Sequence, residues 1–123
     1  MIVLLAEDEP LVRSMIVSSL RELGMDVIAK ESGDKAWDWI NASNHFDLLI
    51  TDVIMPGRID GFELAHRCKL DLPDARVIVI SGYTGTQHSP YITDHNFLPK
   101  PFTLQQLATL IHKVAPNTAL VDL

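Results

Sequence analysis

A single cysteine, Cys68, leaves no internal disulfide to form, and the chain fits a reducing, cytoplasmic compartment. Basic charge is also scarce: ten Lys and Arg stand against sixteen Asp and Glu, for a formal charge of −6 and no basic stripe. Nonspecific nucleic-acid binding needs the opposite sign, so no nucleic-acid partner is expected. Long hydrophobic runs are missing, and none approaches the roughly 18 residues of a membrane span. The opening IVLLA stops at Glu7-Asp8-Glu9, too short and wrongly flanked for a signal peptide, so the chain is not expected to engage a membrane by itself. There is no linker, internal repeat or low-complexity segment. What remains is 123 residues, 47% apolar and 21% charged. A chain of this size buries roughly two-thirds of its unfolded surface, enough for a core without staples. Residues 1–123 therefore read as a single domain.

Short apolar runs alternate with helical patterns along the whole chain. Ile2–Ala6, Val27–Ala29, Leu48–Thr51 and Val77–Ile80 are continuous runs of β-branched residues and Leu, and Phe97-Leu98 is a weaker fifth. Continuous runs suit strands covered on both faces of a parallel sheet. Pro10 suits a first helical position, Val12, Ile16, Leu20 and Leu23 keep helical spacing, and Gly24 suits the end of that helix. Ala36, Trp37 and Ile40 mark a short second helix. Asp60 with Glu63, and Thr103 with Gln106, have the spacing of capping boxes before two further helices. Trp39 falls on a different helical face from Trp37 and is expected to be exposed, while Cys68 is expected in the core. Strand–helix alternation with short joints implies βαβ units with right-handed crossovers. The expected architecture is one open, parallel, doubly wound α/β sheet of five strands.

In such sheets the functional crevice lies beyond the carboxyl ends of the strands. The first strand runs into Glu7 and Asp8, the third into Asp52, the fourth into Ser81-Gly82 and the fifth into Lys100-Pro101. Three carboxylates, a hydroxyl and an ammonium would gather on one rim. Crowded carboxylates repel, so a hard divalent cation with oxygen ligands is the natural occupant. Such a cation and Lys100 together balance the charge of the three carboxylates. Mg²⁺ keeps waters and leaves positions for phosphate oxygens, so the rim suits phosphoryl transfer. Glu7-Asp8-Glu9 alone would also suit a solvated turn at a helix N-terminus. Asp52 and Lys100, ending two other strands, argue against that simpler reading.

The segments VLLAEDEP, LLITDVIMPG, IDGFEL, VIVISGY and FLPKPF, in this order and spacing, resemble the receiver domain of bacterial two-component response regulators. The resemblance covers nearly the whole chain. It implies a flavodoxin-like sheet of order 2-1-3-4-5 and a phosphorylation-dependent switch rather than an enzyme in the usual sense. The phosphoryl group would come from a phosphohistidine of a histidine kinase or histidine phosphotransfer protein. Asp52 would be the acceptor. Asp8, Asp52 and the Ile54 backbone carbonyl would ligate Mg²⁺, with Glu7 acting through water. Lys100 would pair with phosphoryl oxygens, Ser81 would donate a hydrogen bond to them, and Phe97 would be the switch aromatic. The Lys100-Pro101 bond would be cis. Kinase or phosphotransfer helices would dock on the first helix and the loop after the fifth strand, at Pro10, Leu11, Met15, Pro101 and Phe102.

Three rival functions fit less well. A haloacid-dehalogenase-type phosphatase needs a second aspartate two residues after the nucleophile, where Ile54 stands. A flavodoxin-like flavin binder needs a hydroxyl- and glycine-rich phosphate loop, where Glu7-Asp8-Glu9 would repel the ligand. A pseudo-receiver that only binds partners has no need of Asp8, Asp52, Ser81 and Lys100 together. One departure from the family pattern falls between Ser81 and Lys100, where a fourth helix is usual. Residues 84–95 read TGTQHSPYITDH, with Gly85, an interior Pro90 and only Tyr91 and Ile92 as large apolar residues. A short or irregular fourth helix is expected there, and with it a monomer or weak dimer. No room for an output domain follows Val114, which fits a free-standing receiver or part of a larger chain. MPG–IDGFEL, SGYTG and LPKPF are similar to receivers at the C-terminus of hybrid histidine kinases.

Overall fold

The computed structural model describes residues 1–82 and 96–116. The expected irregular helix within 84–95 lies outside the described residues. Strands β1 (Ile2–Ala6), β2 (Asp26–Lys30), β3 (Leu48–Asp52), β4 (Arg76–Ser81) and β5 (Phe97–Pro99) form one sheet in the order β2-β1-β3-β4-β5. Every neighbouring pair is parallel. Helices α1 (Pro10–Glu22), α2 (Gly33–Asn41), α3 (Gly61–Asp71) and α4 (Leu104–Val114) complete the described elements. This is the flavodoxin-like order implied by the sequence motifs.

Alternate residues of the central strands feed two apolar layers, because successive side chains of a strand point to opposite faces. Leu4, Ala6, Leu49, Val77 and Val79 pack with Ala36 and Ile40 of α2 and Leu64, Ala65 and Cys68 of α3. Val3, Leu5, Leu48, Ile50, Ile78 and Ile80 pack with Ile16 and Leu20 of α1 and Leu107, Leu110 and Ile111 of α4. All five residues of β3 are buried, as expected for a strand covered on both faces. Two-sided burial does not extend to β2, none of whose residues is fully buried. It is an edge strand, with β1 as its one neighbour in the sheet among the described residues.

The helix ends follow local chemistry. The Thr103 hydroxyl accepts from Gln106 N while the Gln106 side chain accepts from Thr103 N, the complete reciprocal cap expected for α4. Caps of this kind contribute about 1 kcal/mol each. At α3 only half of the expected box forms. Asp60 accepts from Glu63 N at 2.8 Å, but the Glu63 carboxylate turns along the helix to Arg67 Nε, also at 2.8 Å. An ion pair at i,i+4 has replaced the second capping bond. Trp39 is half-buried rather than exposed, its ring 6.1 Å from that of Phe46. Cys68 is fully buried, as expected.

Candidate functional site

The parallel register lines up the carboxyl ends of four strands. Ala6 lies opposite Thr51, Asp52 opposite Ile80, and Ser81 opposite Pro99. The next residues, Glu7 and Lys100, thus leave β1 and β5 at the same rim. Two backbone bonds fix those exits: Glu7 N donates to Lys30 O at 3.0 Å, and Lys100 N donates to Ser81 O at 3.0 Å. The Lys100-Pro101 peptide is cis.

Lys100 Nζ donates to Glu7 Oε1 and to Asp52 Oδ2, each at 2.9 Å. The other Asp52 oxygen, Oδ1, accepts from Val53 N at 2.7 Å, so both oxygens of this carboxylate are held. Asp52 is buried, and Glu7 is completely so. Asp8 is half-buried and joins them: the three carboxylates each offer an oxygen within 4.8 Å of the others. Ser81 is buried at the end of β4. Phe97 is half-buried in β5, opposite Val79 and packed against the layer containing α2 and α3. Ile54 stands two residues beyond Asp52 and is 64% exposed. The expected rim residues are therefore gathered, with Phe97 one strand length away from the charges.

One ammonium facing three carboxylates leaves the site short of positive charge. Burial, joined by the adjacent Asp52 carboxylate, pushes the Glu7 pKa up to about 7 despite the opposing pull of Lys100. For Lys100, burial works against the charged form. Hydrogen bonds and attraction from Asp52 and Glu7 outweigh it and hold the ammonium pKa above its ordinary value. Glu7 Oε2 is buried and has no hydrogen-bond partner among the described residues. A buried oxygen of this kind is costly unless a cation or water meets it. The donor set is all oxygen and acidic, which suits a hard cation such as Mg²⁺. The orphaned oxygen and the charge deficit both fit such an ion.

Sequence reasoning missed two residues that shape this rim. Arg13 of α1 donates from Nη1 to Glu7 O at 2.9 Å and to Asp8 O at 3.4 Å, folding the acidic turn back on its helix. A cation near the N-terminus of a helix opposes the helix dipole, and that anomaly was the available signal. Asp34 of α2 accepts from Arg58 N at 3.1 Å and Ile59 N at 2.9 Å in the β3–α3 loop. The one local hint of that contact in the sequence is Gly57. Beside the rim, Val12, Met15, Ile16, Ser19, Pro101, Phe102 and Leu104 line a groove of about 410 Å³ between α1 and the start of α4. Leu11 and Met15 near it are 75% and 62% exposed. No helix among the described residues is long and apolar enough to cross a membrane.

The family model for the response regulator receiver domain matches residues 3–112. The chain is 34% identical over 115 residues to the response regulator receiver protein CpdR of Brucella abortus (strain 2308), covering 91% of this chain and 94% of that protein. It is 35% identical to the sensor kinase CckA of the same organism, over 91% of this chain but 12% of the kinase. It is 32% identical to the DNA-binding transcriptional regulator NtrC of Azospirillum brasilense, over 90% of this chain and 23% of that protein. The chain thus spans under a quarter of the latter two. Among solved structures it is similar to the response regulator protein TrrA of Thermotoga maritima in complex with Mg²⁺–BeF. That match has a TM-score of 0.82, 29% identity, and coverage of 92% of this chain and 97% of that one.

Proposed function

Since the chain belongs to the response regulator receiver domain family, we propose that it is a signalling switch set by phosphorylation of Asp52. The donor is a phosphohistidine of a histidine kinase or histidine phosphotransfer protein. The observation that carries this reading is the Asp52 carboxylate, held between Lys100 Nζ and Val53 N beside two further carboxylates. An Asp52 oxygen attacks the phosphorus, the P–N bond breaks, and its electron pair leaves with the imidazole as the O–P bond forms. Val53 N and Lys100 fix the carboxylate, so the attacking oxygen does not have to be oriented at the moment of transfer. The raised pKa keeps Lys100 protonated, and its ammonium moves from Asp52 Oδ2 to a phosphoryl oxygen as the new bond forms. The Ser81 hydroxyl donates to another phosphoryl oxygen, and Phe97 follows the change at the β5 edge.

Asp8, Asp52 and the Ile54 carbonyl would hold Mg²⁺, with Glu7 reaching it through water. That TrrA, a similar protein, is solved in complex with Mg²⁺–BeF supports Mg²⁺ as the ion. When bound, Mg²⁺ supplies the positive charge that lets an anionic phosphoryl group approach an acidic rim. Catalysis is then mostly positioning and charge balance, and the protein ends the reaction modified. The partner's phosphohistidine helix docks on the groove between α1 and the loop after β5, with Leu11, Met15, Pro101 and Phe102 as its apolar contacts. The deciding experiment is incubation with Mg²⁺ and a small acyl-phosphate donor, read by intact mass. One phosphoryl group should be added, prior chelation should prevent it, and Asp52→Asn should abolish it. Undiminished labelling of Asp52→Asn would refute the assignment. No labelling of the unaltered chain by any donor would favour a pseudo-receiver.

A further inference from the structure

The segment from Val53 to Asp60 carries Ile54 and joins β3 to α3. Its base is closed by Gly61 N, which donates to Val53 O at 2.8 Å. Met55 and Ile59 are buried and pin the loop from below, whereas Pro56, Gly57 and Arg58 are exposed. Among the described residues, that exposed tip has one polar tether to another element, the Asp34 carboxylate. Oδ2 accepts from Arg58 N at 3.1 Å and Oδ1 from Ile59 N at 2.9 Å. Two successive amides on one carboxylate make a charge-assisted, two-point contact, stronger and more directional than a neutral hydrogen bond. Gly57 makes the approach possible. Its φ is +98°, and a methyl added there would lie 2.4 Å from Asp34 Oδ2. Asp34 is itself set by its helix, because Ser32 caps α2 through Lys35 N at 3.1 Å. The sheet order puts β1 next to β2 and β3, so α2, which follows β2, reaches over to the β3–α3 loop.

We propose that Asp34 is a positioning residue for the cation site: by clamping Arg58 N and Ile59 N it holds the loop in which the Ile54 carbonyl is presented. The inference rests on the proposed receiver chemistry. A side-chain ligand can adjust by rotating, but a backbone carbonyl can move only with its loop. Loop rigidity is therefore ligand preorganisation, and outer groups that orient ligands typically govern metal affinity by about 10- to 100-fold. The clamp does not touch Asp52 or Lys100, so it acts on cation affinity and leaves the attacking oxygen in place.

The test is a calorimetric titration of the full chain with MgCl₂ alone, beside measurement of acyl-phosphate labelling against Mg²⁺ concentration. Asp34→Ala should bind Mg²⁺ about tenfold more weakly. Asp34→Asn, which keeps one acceptor oxygen, should fall between it and the unaltered chain. The Mg²⁺ concentration for half-maximal labelling should rise in the same order while the plateau rate stays unchanged. A merely structural role would lower the melting temperature in EDTA and leave the half-saturation where it was. Unchanged Mg²⁺ affinity in a folded Asp34→Ala overturns the proposal. If that variant does not fold, Asp34→Asn decides: weakened binding supports the clamp and unchanged binding overturns it. Failure of the unaltered chain to bind Mg²⁺ overturns the site reading itself, and the clamp with it.

Discussion

Replacing Glu7 by glutamine should stabilise the metal-free protein by an amount that grows as pH rises from about 4.5 to about 7 and stays level above that. Glu7 is fully buried; burial, with Asp52 adding to it and Lys100 opposing, moves its pKa from 4.5 to about 7. Between those values the folded chain keeps a proton that the unfolded chain has released. The folded carboxyl is therefore penalised as pH rises: the penalty is absent below about 4.5 and complete above about 7. At about 1.4 kcal/mol for each tenfold change in proton affinity, the full penalty is on the order of 3 kcal/mol. Glutamine matches the volume, carries no charge, and keeps a carbonyl oxygen for Lys100 Nζ, which lies 2.9 Å from Glu7 Oε1. The informative quantity is the difference between variant and parent across pH. Urea unfolding in EDTA, repeated from below pH 4.5 to above about 7, measures it. The two proteins should coincide at the acid end and separate by about 3 kcal/mol at the alkaline end. Mg²⁺ should narrow the gap, since a ligand at a hundred times its Kd stabilises the form that binds it by about 2.7 kcal/mol. A difference that does not vary with pH, or a variant less stable above neutrality, would refute the charge-deficit argument.

Two further outcomes follow from packing and exposure. Leu11→Ala and Met15→Ala should slow phosphotransfer from a phosphorylated kinase or phosphotransfer protein about tenfold, as loss of an apolar interface contact does, while sparing the small acyl-phosphate donor. Equal losses with both donors would mean the rim itself was damaged and would sink the docking assignment. Gly61→Ala should cost about 3 kcal/mol or more, because its methyl would meet Asp52 O at 1.8 Å and force backbone to move. Gly82→Ala, with nothing among the described residues within 4 Å of the added methyl, is the control, and equal unfolding midpoints for the two variants would contradict the close approach.

The fold was legible because the strongest signals in this chain are local and agree with one another. Leu48–Thr51 is an unbroken run of Leu and β-branched residues that ends at the Asp52 carboxylate, and Leu48–Asp52 becomes the strand buried along its whole length. Thr103 and Gln106 encode their cap within four residues. Where local signals compete, a single pattern no longer settles the outcome. Glu63 could complete a cap or pair with Arg67, and the ion pair prevailed. The run in β2 looks like that of an inner strand, yet its exposure depends on where the sheet ends, which no single strand encodes.

The candidate site divides in the same way. Glu7, Asp8, Asp52 and Lys100 could be read as neighbours because parallel topology delivers every strand's carboxyl end to one rim. Knowing the alternation of elements is enough to gather those charges, although Lys100 lies 93 residues from Glu7 in sequence. Arg13 and Asp34 are different. They act on backbone groups of turns, and backbone groups carry no residue identity for a motif to record. Asp34 meets amides 24 and 25 residues away, and only the glycine at 57 hints that something approaches that turn. The chemistry of this rim was thus written in side chains at strand ends. The rigidity that chemistry needs was written in contacts to main-chain atoms, and those become visible only once the chain is folded.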